Sequence, residues 1–114
     1  MSIFSKQTEE DVAIAEKEEI KEPSQYDVIV YDNDHTSYEE VILILSQAFE
    51  MKHDEALQVA TKVHQEGRGK CGTYSKEIAD MKLILVSTIK ESMVQMFPSR
   101  ALEIRMLKFT VQKA

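Results

Sequence analysis

Two carboxylates, separated by one residue, follow a short apolar run early in the chain. Residues 28–31 read VIVY and are followed at once by Asp32, Asn33 and Asp34. Asp and Asn are common in turns because their short side chains hydrogen-bond the nearby backbone. A turn does not require two carboxylates, however, and a pair of them can also hold a cation through charge-assisted hydrogen bonds. These residues alone leave both a turn and a cation site open.

His64 and Cys71 are the other residues whose chemistry invites attention. His64 lies near the predicted C-terminal end of a helix, where a histidine commonly caps the helix or is partly buried. A functional His64 is the alternative, since histidines also serve in binding sites. A thiol nucleophile at Cys71 with His64 as its base would further require an orienting group and an oxyanion hole. Because there is no nucleophile-elbow motif and Cys71 lies in a predicted strand, we do not expect an enzyme.

No metal or cofactor motif is visible in the sequence. His35, His53, His64 and Cys71 show none of the paired spacings that zinc sites use. The sequence also has no glycine-rich phosphate loop. We therefore expect neither a metal nor a cofactor.

The bulk composition narrows the class of protein. The chain has 114 residues, a net charge of −6 and a pI near 5.1, which fits one modest domain. An acidic chain is a poor binder of nucleic acid or of anionic membrane surfaces. There is no apolar run of the roughly 20 residues that a membrane span needs, and no basic patch followed by an apolar core as in a secretory signal. One cysteine fits a reducing compartment.

The first 22 residues differ from the rest of the chain. They hold seven acidic residues and three lysines, with only scattered apolar residues. This composition is typical of a flexible segment that does not build a core. We predict a flexible acidic extension over residues 1–22 and a single domain over residues 23–114.

Periodicity predicts six elements in the domain, in the order strand, helix, helix, strand, helix, strand. The strands are expected at residues 25–31, 69–75 and 101–111, and the helices at 37–50, from 53 or 54 to Gly67, and 76–92. Thr36 is the expected N-cap of the first helix, with Glu39 completing a capping box. Ser75 is the expected cap of the third helix, whose apolar stripe is Ile78, Met81, Leu85 and Ile89. The simplest packing is an α+β fold, a small three-stranded antiparallel sheet with three helices on one face.

Taken together, these residues resemble the ClpS adaptor family of the ATP-dependent Clp protease. The resemblance is carried by YDVIVYDND (residues 26–34) with Thr36, and by VATKVHQEGRGKCGTYSKEIADMK (residues 59–82). The family pattern has a strand that ends in Asn-Asp-Asp and a Thr, then Val-His-x-x-Gly, Cys-Gly, and a helix with Glu, Ala and Lys. The similarity covers about residues 23–98.

The resemblance implies a function and a site. Family members are not enzymes; they recognise proteins by their first residue and deliver them to a Clp-type AAA+ unfoldase, with which the N-terminal extension engages. The residues implied to hold the α-amino group of the substrate are Asp32, Asp34 and His64. The residues implied to form the apolar pocket for the first side chain are Val30, Tyr31, Thr36, Tyr38, Val41, Ala60 and Val63.

This sequence departs from the family pattern at three places. Asn-Asp-Asp reads Asp32-Asn33-Asp34, the family's gating Met is Tyr38, and a second pocket Met is Ala60. The reshaped pocket predicts a preference for aromatic first residues over Leu. The last residues, 98–114, align poorly, so the family's final pocket residue has no assigned position.

The implied partners are N-degron substrates, meaning proteins recognised by their first residue, and a ClpA- or ClpC-type unfoldase. We expect a monomer in the cytoplasm or a plastid stroma, with no nucleic-acid or membrane partner. A ClpS-like regulator or decoy that docks on the unfoldase without binding N-degrons is the alternative. A structural interaction domain, with a fold like the C-terminal domain of the ribosomal stalk, ranks below it.

Overall fold

The computed structural model describes residues 24–114, so the predicted extension over residues 1–22 lies outside the described residues. The elements are β1 (Tyr26–Tyr31), α1 (Tyr38–Phe49), α2 (His53–Glu66), β2 (Arg68–Tyr74), α3 (Lys76–Met96), a 3-10 turn (Pro98–Arg100), α4 (Ala101–Met106) and β3 (Phe109–Lys113). The three strands form one antiparallel sheet in the order β2-β1-β3. The predicted α+β class with a three-stranded antiparallel sheet is confirmed.

The central strand β1 supplies the middle of the core. Val28 and Val30 are fully buried, and they alternate with Ile29 as a strand requires. The pairing register between β1 and β2 shifts between Val28 and Ile29, so that Cys71 has no counterpart on β1. The helices cover the face that carries Val28 and Val30. Their buried contributions include Ile44, Leu45, Ala48, Ala56, Ala60, Val63, Ala79, Val86, Met93 and Ile104.

The helix boundaries follow local chemistry. Gly67 ends α2 with φ of 89°, a left-handed conformation that glycine adopts without steric cost. Ser75 caps α3 as predicted, because its hydroxyl accepts from the backbone N–H of Ile78 at 3.4 Å. α3 runs to Met96, one turn beyond the predicted end. No helix within residues 24–114 is both long enough and apolar enough to cross a membrane.

The predicted N-cap of α1 is wrong by one residue. The cap is Ser37, whose hydroxyl accepts from the N–H of Glu40, and the Glu40 carboxylate accepts from the N–H of Ser37. The capping box is therefore Ser37 with Glu40 instead of Thr36 with Glu39. The helix begins at Tyr38, which places Ser37 at the N-cap, and the Thr36 hydroxyl instead donates to the carbonyl oxygen of Glu103 at 3.1 Å.

The predicted final strand over residues 101–111 is also partly wrong. Residues 101–106 form α4, a fourth helix where the sequence analysis expected three, and the strand begins only at Phe109. The alternation of Leu102, Ile104 and Met106 suggested a strand. Only Ile104 is buried, however, whereas Leu102 and Met106 are exposed, as on a short helix with one buried side.

The predicted apolar stripe of α3 is mostly outside the core. Ala79, Val86, Ile89 and Met93 form its buried side, whereas Ile78, Met81 and Leu85 are exposed. They line an open groove of about 470 Å³ together with Ile84. α3 carries two apolar stripes, and periodicity alone does not decide which of them packs against the sheet.

Gly69 allows β2 to pack closely against α2. A Cβ atom at this buried position would lie 2.7 Å from Cγ2 of Val63, and Val63 has little freedom to move. We expect Gly69→Ala to lower the free energy of unfolding by about 1–3 kcal/mol through overpacking. Urea denaturation measures the change. Lys70→Ala, at the exposed neighbouring position, is the control, and an unchanged midpoint in Gly69→Ala would contradict this packing.

Candidate functional site

One backbone hydrogen bond joins the end of β1 to the end of α2. The N–H of Asp32 donates to the carbonyl oxygen of Gly67 at 2.9 Å, and the N–H of Gly67 donates to that of Val63 at 2.8 Å. His64 lies in the last turn of α2. The acidic turn and the histidine, which are distant in sequence, are therefore adjacent in space.

The turn after β1 is held by Asn33. Its side-chain oxygen accepts from the N–H of His35 at 2.8 Å, and its carbonyl oxygen accepts from the N–H of Thr36 at 3.1 Å. Asn33 thus fills the role that a turn requires. The exposed carboxylates of Asp32 and Asp34 make no hydrogen bond or ion pair with another side chain of residues 24–114.

A small pocket of about 20 Å³ opens beside Asp32 and His64. Eight of the ten predicted site residues line it, namely Asp32, His64, Tyr31, Thr36, Tyr38, Val41, Ala60 and Val63. Two predicted residues do not. Val30 is fully buried beneath the site, and Asp34 is exposed on the turn outside the pocket.

The pocket has a polar rim and an apolar interior. Val41, Ala60 and Val63 are nearly buried, with exposures of 7%, 3% and 2%. Such walls exclude water, while Asp32 and His64 at the rim offer hydrogen-bond acceptors. This arrangement suits a ligand with an apolar group joined to a cationic donor.

Tyr38 closes the pocket against His64. The two rings meet edge to face, with centroids 5.5 Å apart and planes inclined at 63°. A volume of about 20 Å³ holds little more than one water molecule. A bulky side chain enters only if the Tyr38 ring moves.

Three further residues line the pocket that the sequence analysis did not assign to it, Asn33, Ser37 and Leu107. Asn33 and Ser37 belong to the turn and to the N-cap, so their role is also local. Leu107 is 1% exposed and follows α4. Its position could not be found from the sequence because the preceding residues were expected to be a strand.

The N-cap of α1 is coupled to the C-terminal segment. Arg100 donates to both carboxylate oxygens of Glu40 at 2.9 Å. This hydrogen bond is the main cause that holds the pKa of the Glu40 carboxyl below its usual range, with the Ser37 backbone adding to it and partial burial opposing it.

Cys71 is unsuited to nucleophilic chemistry. Burial raises the pKa of its thiol to about 12, so the thiol is protonated at neutral pH. It lies in the core and does not line the pocket. Within residues 24–114, no group of three or more His, Cys, Asp or Glu side chains is arranged to hold a metal ion.

Comparison with known proteins identifies the family. The profile described as "ATP-dependent Clp protease adaptor protein ClpS" matches residues 21–98. The ATP-dependent Clp protease adapter protein ClpS of Cupriavidus metallidurans is 41% identical over 83 residues, which are 72% of this chain and 77% of that protein. Its counterpart in Oleidesulfovibrio alaskensis is 34% identical over 79 residues, 69% of this chain and 76% of that protein.

A solved structure has the same fold. Agrobacterium tumefaciens ClpS2 bound to L-phenylalaninamide superposes with a TM-score of 0.66 at 24% sequence identity, covering 82% of this chain and all of that one. The family is one of adaptors and not of enzymes. The resemblance carried by the acidic turn, Val-His and Cys-Gly is thereby confirmed. The chain belongs to the ClpS family, the adaptors of the ATP-dependent Clp protease.

Proposed function

We propose that this protein binds the free α-amino group and the bulky apolar first residue of N-degron substrates, and delivers them to a Clp AAA+ unfoldase. The observation that carries the proposal is the placement of Asp32 and His64 on the rim of one apolar-walled pocket. Only a free N-terminus presents a cation and a variable side chain from the same residue.

The proposed amine site matches the chemistry of an N-terminus. An α-amino group has a pKa near 7.7–8.0 and is mostly a cation with three N–H donors at pH 7. The Asp32 carboxylate and the His64 ring are two acceptors that approach from different elements. Asp34 is the third member of the proposed set, from the far side of the turn. Each charge-assisted bond contributes about 1.5–3 kcal/mol, which acetylation of the amine would remove.

The first side chain is proposed to enter between Tyr38 and the walls formed by Val41, Ala60 and Val63. Val30 supports these walls from the core, and Tyr31 and Thr36 complete the set. Burying a Leu or Phe side chain contributes roughly 1.5–3 kcal/mol. Together with the amine contacts, and after the cost of ordering the peptide, this corresponds to an affinity of about −8 kcal/mol, or micromolar.

Delivery is proposed to follow the family pattern. Residues 23–114 would form the binding domain, and residues 1–22 would engage a ClpA- or ClpC-type unfoldase. The protein would act as a monomer in the cytoplasm, or in a plastid stroma. The ligand in the related ClpS2 structure, L-phenylalaninamide, has both a free amine and an aromatic side chain, and it is a suitable first probe.

The alternative is a ClpS-like regulator that docks on the unfoldase without binding N-degrons. The closed pocket, with Tyr38 against His64, favours this alternative. Peptide binding separates the two functions, because only the adaptor needs a pocket that opens.

Binding of short peptides that differ only in residue one tests the proposed site. The first residue would be Phe, Tyr, Trp, Leu, Ile, Ala or Arg. Peptides with a large apolar first residue and a free amine should bind at about micromolar concentration, and acetylated ones should not. Asp32→Ala and His64→Ala should each weaken binding about tenfold or more, with a smaller loss in Asp34→Ala. Fluorescence anisotropy measures each Kd.

His53→Ala and Glu66→Ala are matched controls, because both residues lie on α2 without lining the pocket. They should leave the Kd unchanged. If no free-amine peptide binds to the unmodified chain, the adaptor function is wrong and the regulator takes its place.

The exchanged order of Asp32 and Asn33 should be neutral when both positions are changed together. An Asp at position 33 can accept from the N–H of His35 as Asn33 does, so Asp32→Asn with Asn33→Asp keeps the turn and the net charge. We expect a Kd within about threefold of the original, because the exchange restores the Asn-Asp-Asp order of the family pattern and the amide oxygen of an Asn at position 32 can still accept from the amine. A loss as large as that of Asp32→Ala would show that the carboxylate must stand at position 32.

Tyr38 should set the preference for aromatic first residues. An edge-to-face contact between its ring and a Phe side chain contributes about 0.5–1.5 kcal/mol beyond burial, so Phe should bind about two- to tenfold more tightly than Leu. Tyr38→Met should bring the two Kd values together. A chain that binds Leu most tightly would contradict this role for Tyr38.

A further inference from the structure

We infer that Arg100 is a positioning residue for the turn over residues 32–37, which carries the proposed amine site. The inference rests on the proposed function and goes beyond it. Arg100 belongs to the 3-10 turn Pro98–Arg100 and follows residue 98, where the family match ends. The residues that recognise the amine would therefore be held in place by a segment that lies beyond the family match.

The guanidinium of Arg100 donates hydrogen bonds to two residues, Glu40 and His35. Its Nε and Nη2 atoms donate to the two carboxylate oxygens of Glu40, each at 2.9 Å. Nη2 also donates to the carbonyl oxygen of His35 at 2.6 Å. A planar fork can make this pattern, whereas the point charge of a lysine cannot.

Glu40 links Arg100 to the turn through hydrogen bonds with Ser37. Its Oε1 atom accepts from the N–H of Ser37 at 2.9 Å, and its own N–H donates to the Ser37 hydroxyl at 3.2 Å. Ser37 lines the pocket beside Tyr38. Arg100 thus restrains both the residue that follows Asp34 and the residue that precedes Tyr38.

The residue between these two is held by the same segment. The Thr36 hydroxyl donates to the carbonyl oxygen of Glu103, in α4. Residues 35, 36 and 37 are therefore each tied to residues 100–103, directly or through Glu40. At its other end the turn is fixed by the Asp32 to Gly67 hydrogen bond.

Loss of the ion pair between Arg100 and Glu40 should disturb the turn. The Glu40 side chain is only 13% exposed, and without Arg100 its carboxylate would keep few donors. A shielded carboxylate that loses its partner is destabilised, and turning it toward water would release Ser37.

The chain offers a matched control in Arg105. This arginine makes a similar fork to Glu91, with its Nε at 3.3 Å and Nη2 at 3.1 Å from the carboxylate oxygens. The pair joins α4 to α3 and contacts no residue of the turn. Arg100→Gln and Arg105→Gln thus remove the same charge from the same segment, and only the first releases the turn.

The test is the Kd of a peptide with a free amine and Phe as its first residue, measured for the full chain and for both variants. Thermal melting of the same three proteins shows whether each variant is folded. We expect Arg100→Gln to weaken binding about tenfold and Arg105→Gln to change it less than twofold. Arg100→Lys should not restore binding, because it keeps the charge but loses the fork. Equal binding by the original chain and Arg100→Gln, or equal losses in both variants, would overturn the inference.

A double-mutant cycle with Asp32→Ala separates positioning from general damage. If Arg100 positions the amine site as a whole, the loss of binding caused by Arg100→Gln should be clearly smaller once Asp32 is already Ala. A tenfold loss in both backgrounds would mean a merely structural role.

Should Arg100→Gln fail to fold, Glu40→Gln carries the test, since its amide oxygen still accepts from Ser37 and only the ion pair is lost. It should weaken binding in the same direction, and unchanged binding would overturn the inference. If the original chain binds no free-amine peptide, the proposed function is overturned and the inference with it. Binding by the original chain with no effect of these variants overturns the inference alone.

Discussion

The hydrogen bond from the Asp32 N–H to the Gly67 carbonyl is the constraint on which the site depends. It forms because β1 ends next to the point where α2 ends. Gly67 can take the left-handed conformation that turns its chain into β2, with its carbonyl directed at β1. Gly69 then lets β2 lie close against Val63. These two glycines thus help to bring the acidic turn and His64 together.

The sequence predicted the parts of the molecule that local chemistry controls. Strand β1, the stop of α2 at Gly67 and the cap of α3 at Ser75 each follow from residues within one turn of the chain. The resemblance to the ClpS family also named eight of the residues that line the pocket. The errors have tertiary causes. The Thr36 hydroxyl donates to a distant carbonyl while Ser37 caps α1. Periodicity could not decide which of the two apolar stripes of α3 packs against the core.

Residues 98–114 were the least predictable part for a related reason. An alternation of three apolar residues looked like a strand, but only one of them, Ile104, finds a place in the core. α4 then directs Leu107 into the pocket and presents Glu103 to Thr36. This segment thus contributes to the site by packing against the turn. No sequence motif predicts that packing.

The contact between Tyr38 and His64 has a consequence for the time course of binding. If the pocket is open in only a fraction of molecules, the apparent affinity falls by that fraction, and a ligand must wait for an open molecule before it can enter. The Tyr38 ring, once displaced, can again contact the His64 ring after the ligand leaves. A site of this kind lowers the observed association rate as well as the apparent affinity, each in proportion to the open fraction.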